Sequence, residues 1–153
     1  MLVTGGSLGA RQLNQALTAS AAAIVDAGWQ VVHIAGARND VYDPDIDGYH
    51  LLEYCNHMED ALAVADLAIS RSGASTVSEL SALGVPTVYV PYPHGNGEQA
   101  LNAQPAVEAG AAVLVADAEI TPQWVTGDLL ALLGDADRRD RLRERAGGFG
   151  IVD

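Results

Sequence analysis

The chain has 153 residues, enough for one domain with a real core; 49% are apolar but only 5% aromatic, so Ala, Val, Leu and Ile must fill that core. With 20 Asp and Glu against 8 Arg and no Lys, the net charge of −12 excludes non-specific binding to nucleic acid or to an anionic lipid surface. The single cysteine, Cys55, excludes an internal disulfide framework and a zinc site built from several cysteines; with no signal peptide or membrane-length apolar run in the sequence, a cytoplasmic protein is expected.

Met1-Leu2-Val3 reads as the tail of a buried strand rather than the natural start of a protein. The turn Thr4-Gly5-Gly6-Ser7-Leu8-Gly9-Ala10 leads into a helix from Arg11 to Ala27, whose apolar positions Leu13, Leu17, Ala21, Ile24 and Ala27 keep helical spacing and which Gly28 ends. Such a turn serves either a phosphate or close backbone packing. It is neither G-x-G-x-x-G nor a P-loop with its lysine, which counts against dinucleotide and NTPase readings.

Trp29–Ala35 is the second predicted strand, followed by a polar connection from Gly36 to Gly48 whose aspartates lack EF-hand spacing and read as solvated. Tyr49–Tyr54 is the third strand, and Met58–Ala65 a short helix behind Cys55-Asn56-His57. Cys55 and His57 have no second pair to complete a metal site.

The chain then builds its most informative unit. The strand Leu67–Ser70 runs into Arg71-Ser72-Gly73-Ala74-Ser75-Thr76-Val77-Ser78-Glu79, a small-residue turn and helix that Gly84 ends before the strand Pro86–Val90. Gly73 and Ala74 allow close approach to first-turn amides at the positive end of a helix dipole, while Ser75, Thr76 and Ser78 add hydroxyls. Glu79, one turn in, offers two acceptors to a vicinal diol such as a ribose. Thr76-Val77-Ser78-Glu79 also fits a capping box, in which Glu79 only satisfies a backbone amide. From these residues alone the capping box is the slightly favoured reading.

Pro91 to Gln99 is a Pro/Gly-rich loop that opens a helix, Glu98 to Ala109, in which Pro105 is expected to cause a kink or restart and which Gly110 closes. Glu98, Gln99 and Asn102 have the chemistry to read sugar hydroxyls. His94 has no nucleophile or paired carboxylate at a recognisable spacing, which counts against a general base. Ala111–Val115 is the last strand. Thr121-Pro122 starts a helix to Leu133, and an Arg-rich helix capped by Asp135 or Asp137 ends at Gly147-Gly148 and reads as solvated edge packing.

The alternation of strand and helix predicts an α/β fold, a doubly wound parallel sheet of Rossmann-like type, as a single domain over residues 1–153. Four loops, at Gly5–Gly9, Cys55–Met58, Arg71–Ser75 and Tyr92–Glu98, then meet on one edge, with chemistry suited to a phosphorylated sugar or nucleotide.

Three segments carry a resemblance: Gly5-Gly6-Ser7-Leu8-Gly9-Ala10, Arg71 to Glu79, and His94-Gly95-Asn96-Gly97-Glu98-Gln99-Ala100-Leu101-Asn102-Ala103. In order and spacing they resemble the carboxyl-terminal, donor-binding half of the MurG family of GT-B glycosyltransferases, and the likeness covers nearly the whole chain. The family moves N-acetylglucosamine from UDP-N-acetylglucosamine to undecaprenyl-linked muramoyl-pentapeptide (lipid I to lipid II) in peptidoglycan synthesis. The resemblance implies the following roles. Ser7 lies near the diphosphate, and the Cys55 position holds the uracil through its backbone. Ala74, Ser75 and Thr76 face the diphosphate, Glu79 takes the ribose hydroxyls, and Glu98 and Gln99 read the sugar. Glu98 departs from the glutamine the family often has there. Gly6, Met58, Arg71, His94 and Asn102 are further candidates, with Arg71 either reaching ligand or bracing its loop.

The resemblance also implies an acceptor-binding amino-terminal domain, with the base, to which nothing here corresponds. No catalytic residue is therefore expected in this chain, and donor binding without transfer is expected of it alone. No metal or other cofactor is expected, and no direct membrane contact from this domain, with the complete enzyme at the cytoplasmic face of the plasma membrane. Two other functions fit the same architecture: a donor-binding subunit that recruits a membrane-anchored partner polypeptide, and a sugar-nucleotide epimerase.

Overall fold

Short apolar runs bounded by turn residues become the strands of one sheet, and the amphipathic stretches between them cover its two faces. The computed structural model describes residues 1–5, 10–36 and 41–149. The strands are β1 (Leu2–Thr4), β2 (Val31–Ile34), β3 (Tyr49–Leu52), β4 (Ala68–Ser70), β5 (Thr87–Tyr89) and β6 (Ala112–Leu114). They lie in the order β3-β2-β1-β4-β5-β6, and every neighbouring pair is parallel. This is the doubly wound arrangement that the alternating pattern predicts. Within the sheet, Val3 is in register with His33 on one side and Ile69 on the other.

The helices are α1 (Arg11–Ala19), α2 (Ala21–Asp26), α3 (Met58–Ala63), α4 (Ala74–Leu83), α5 (Glu98–Glu108), α6 (Pro122–Trp124), α7 (Leu130–Leu133) and α8 (Ala136–Phe149), with a π-helical stretch Val125–Leu129 joining α6 to α7. Side chains alternate across the strands, and the core divides accordingly. Val3, Ile69 and Val88 point into one cluster with Leu13, Leu17, Ile24, Leu129 and Leu133. Leu2, Ala68 and Tyr89 point into the other with Leu62, Val77, Leu80, Ala103 and Ala106.

Three boundaries depart from the pattern in the sequence. The expected single helix Arg11–Ala27 breaks at Ser20 (φ −111°), after Thr18 Oγ1 turns back to donate to the Asn14 carbonyl at 2.8 Å. A hydroxyl competing for helix carbonyls in this way bends or ends the ladder. Pro105 does not restart α5, which is one helix from Glu98 to Glu108. Its missing N–H deprives only the Leu101 carbonyl of a helical partner, on the exposed side of the helix where Leu101 is 65% exposed. Finally, α8 continues through Gly147-Gly148 to Phe149. Asp135, rather than Asp137, caps it, its Oδ1 accepting from the Arg138 amide at 3.0 Å.

α8 also does more than lie at a solvated edge. Its Leu142 enters one cluster and its Ala146 the other. Arg139 stacks over Trp29, just before β2; Arg143 reaches Asp66, just before β4; and Arg145 lies beside Gly110, just before β6. The helix therefore crosses the amino edge of the sheet and leaves the carboxyl edge to the loops.

Candidate functional site

In a parallel sheet every strand ends on the same edge, so the turns after β1, β3, β4 and β5 share one rim. The chain leaves β1 toward β2 and β3 on one side and reaches β4, β5 and β6 on the other. The turns after β1 and β4 therefore flank the switch point, where open α/β sheets hold their ligands. Of the first turn, Gly5 is buried and a Cβ there would overlap the Cβ of Ala10 at the start of α1. Close backbone packing is thus built into this turn. Gly6 and Ser7, both expected in the donor site, lie outside the described residues.

The turn after β4 is held from below. Arg71 is buried, and its Nη1 donates to the carbonyls of Val90 and Pro91 at 3.2 and 3.3 Å, just past β5. The same nitrogen lies 2.7 Å from Asp117 Oδ1, in the short 3₁₀ turn after β6. Its guanidinium also sits 5.7 Å from the centre of the Tyr92 ring. Arg71 therefore ties together the carboxyl ends of three strands.

Above that brace, Gly73 is the extended N-cap of α4 (φ −61°, ψ 149°), and no side chain caps the helix. Among the described residues, a Cβ on Gly73 would meet nothing within 4 Å, which leaves room beside the first-turn amides. The helix begins at Ala74, which puts Thr76 inside the first turn and Glu79 in the second. The capping-box alternative therefore falls: Glu79 lies too far into α4 to serve its N-cap amide. Glu79 is exposed and accepts from the Ser75 hydroxyl at 3.4 Å, one turn back. Ala74 and Ser75 are exposed and Thr76 half-buried.

Opposite this helix stands the start of α5. Glu98 is exposed; Gln99 is half-buried and takes two backbone amides on Oε1, those of Ser72 at 3.1 Å and Tyr92 at 2.8 Å. Asn102, one turn on, donates to the Ser72 carbonyl at 3.1 Å. His94 is exposed, with its ring edge-on to Tyr92 at 5.2 Å between centroids. Cys55 is a free thiol and, like Met58, is half-buried against the second core cluster, at the end of the rim beyond β3.

Four polar residues escaped the sequence reading. Ser72 is fully buried, and its N–H, hydroxyl and carbonyl all bond to Gln99 or Asn102 of α5. Asn14, His33 and Tyr49 form a buried relay behind the first turn. His33 Nδ1 lies 2.6 Å from the Tyr49 hydroxyl, and Nε2 lies 2.8 Å from Asn14 Oδ1. Asn14 Nδ2 donates to the Ala35 carbonyl at 3.0 Å, so Oδ1 is its acceptor end, and the imidazole proton sits on Nε2. Burial lowers the His33 pKa to about 4 and raises that of the Tyr49 hydroxyl. The one signal for the relay was a histidine inside the apolar run Val31-Val32-His33-Ile34.

An open parallel sheet with helix amino ends gathered at its switch point is an α/β domain of the Rossmann type. Residues 1–148 match the Glycosyltransferase family 28 C-terminal domain, and the chain belongs to that family. Over its full length it is 53% identical to the UDP-N-acetylglucosamine--N-acetylmuramyl-(pentapeptide) pyrophosphoryl-undecaprenol N-acetylglucosamine transferase of Leifsonia xyli subsp. xyli, of which it covers 43%. It is 48% identical, over 42% of that protein, to the transferase of the same name from Clavibacter michiganensis subsp. michiganensis. Among solved structures it is similar to MurG of Acinetobacter baumannii, with a TM-score of 0.73 and 28% identity over 97% of this chain and 44% of that one. The chain thus spans less than half the length of these relatives.

Proposed function

We propose that this chain is the donor-binding domain of an inverting N-acetylglucosaminyltransferase that uses UDP-N-acetylglucosamine and converts lipid I to lipid II on the cytoplasmic face of the plasma membrane. The observation that carries the reading is the pairing, at the switch point, of an uncapped helix amino end with the exposed carboxylate of Glu79 one turn along the same helix. The activity of the relatives supports it, since the match to them extends over the whole of this chain.

In this reading the first-turn amides of Ala74, Ser75 and Thr76 take the diphosphate, and Glu79 accepts both ribose hydroxyls. The backbone at Cys55 holds the uracil, with Met58 beside it, and Gly6 and Ser7 approach the diphosphate from the first turn. Gln99 reads the sugar with Glu98, while His94 and Asn102 border that end. When the acceptor hydroxyl attacks the anomeric carbon, the bond to the diphosphate breaks and its electron pair goes to the leaving oxygen. Helix-terminus amides are the groups here that stabilise this growing charge. The base and the acceptor site belong to the amino-terminal domain of the same protein, so this chain binds donor and transfers nothing.

Calorimetric titration of the chain with UDP-N-acetylglucosamine, UDP-glucose and UDP tests the reading. Binding of all three, tightest for UDP-N-acetylglucosamine, is expected. No affinity for any of them, or glycosyl transfer by this chain alone, overturns it.

A further inference from the structure

Ser72 is wholly enclosed between the end of β4 and the N-cap of α4, and each of its polar groups is spent on α5. Its N–H donates to Gln99 Oε1 at 3.1 Å, its hydroxyl donates to the Gln99 carbonyl at 2.7 Å, and its own carbonyl accepts from Asn102 Nδ2 at 3.1 Å. The second amide on Gln99 Oε1 comes from Tyr92, in the loop that leads into α5. Both partners of that oxygen are N–H donors, so the orientation of the side-chain amide is settled and Nε2 remains as its donor end.

We propose that Ser72 is a positioning residue of the donor site: it locks the start of α5 to the turn before α4, so that the two ends of one nucleotide diphosphate sugar are met in a single register. The inference rests on the nucleotide-sugar reading above. The bonds through the Ser72 N–H and carbonyl belong to the backbone and reach α5 only through the long side chains of Gln99 and Asn102. The hydroxyl adds a short, direct tie from the turn before α4 to the backbone of α5 at the Gln99 carbonyl. Preorganisation of this kind strengthens binding of a ligand that must touch both helices more than binding of one that touches only the first.

Ser72→Ala separates this role from folding. The Gln99 carbonyl it stops serving already belongs to the helical ladder of α5, so no buried acceptor is stranded. Titration of the parent and variant chains with UDP-N-acetylglucosamine and with UDP gives an affinity ratio for each. The parent is expected to prefer the sugar nucleotide, and Ser72→Ala to lower that preference by about three- to tenfold. An unchanged ratio, or a parent that binds the two ligands equally, overturns the role of Ser72 and leaves the nucleotide reading intact. A parent that binds neither overturns both. Should Ser72→Ala fail to fold, Ser72→Cys keeps the shape but is a much weaker donor to the Gln99 carbonyl, and a fall in the same direction is expected; no fall overturns the inference.

Discussion

Arg71 and Asp117 meet beneath the rim with 2.7 Å between Nη1 and Oδ1, their side chains only 6% and 16% exposed. The contact is close in distance but not aligned as a hydrogen bond, since Oδ1 is buried without such a partner. Charge therefore holds it, in a setting that shields it from solvent and salt.

Removing one partner of such a pair leaves a buried charge uncompensated, so Arg71→Ala should cost about 3 kcal/mol of stability in urea unfolding. The loss also releases the Val90 and Pro91 carbonyls. Asp117→Ala should be costly too, and the double variant should lose clearly less than the sum. Additive losses would show that the two residues stabilise the rim independently.

Gly5→Ala tests the packing role of the first turn. The new Cβ would collide with that of Ala10, backbone-anchored at the start of α1, and no long side chain is present to swing away. Overpacking of this kind costs about 1–3 kcal/mol. Thermal unfolding should show the loss, and because the turn borders the switch point, affinity for UDP-N-acetylglucosamine should fall with it. A variant of unchanged stability would refute the close packing.

His33 gives the fold a pH dependence with a definite sign. Its pKa falls from 6.5 in the unfolded chain to about 4 in the native relay because of burial. Between those values the unfolded state binds the extra proton. Stability is therefore complete above about pH 6.5 and declines as the pH falls toward 4, by roughly 3 kcal/mol over the whole window. Urea unfolding at a series of pH values should show a loss of about 1 kcal/mol per unit between pH 6 and 5 that disappears in His33→Gln. A parent profile that is flat there would contradict a neutral, enclosed His33.

What the sequence made legible was set by local chemistry. Apolar runs such as Leu67–Ser70, bounded by turn residues, announced the strands, and Gly84 (φ 67°) and Thr121-Pro122 marked a helix end and a helix start where the structure has them. Strand ends were overrun because burial continues past the ladder: Leu67 and Val90 are fully enclosed yet lie outside β4 and β5. The capping box misled because Thr76-Val77-Ser78-Glu79 has the right spacing two residues inside a helix that begins at Ala74. Contacts distant in sequence were not legible. Nothing in the chain announces that Arg71 reaches Asp117, that Ser72 spends itself on Gln99, or that Asn14, His33 and Tyr49 converge.

The most direct test of the account is titration of Glu79→Ala with UDP-N-acetylglucosamine beside the parent chain. Hydrogen bonds to a charged group contribute about 1.5–3 kcal/mol each, and Glu79 is exposed on α4, so its loss should weaken binding at least about tenfold while leaving thermal stability almost unchanged. Equal affinity in the two proteins would contradict a ribose held by Glu79 at the switch point.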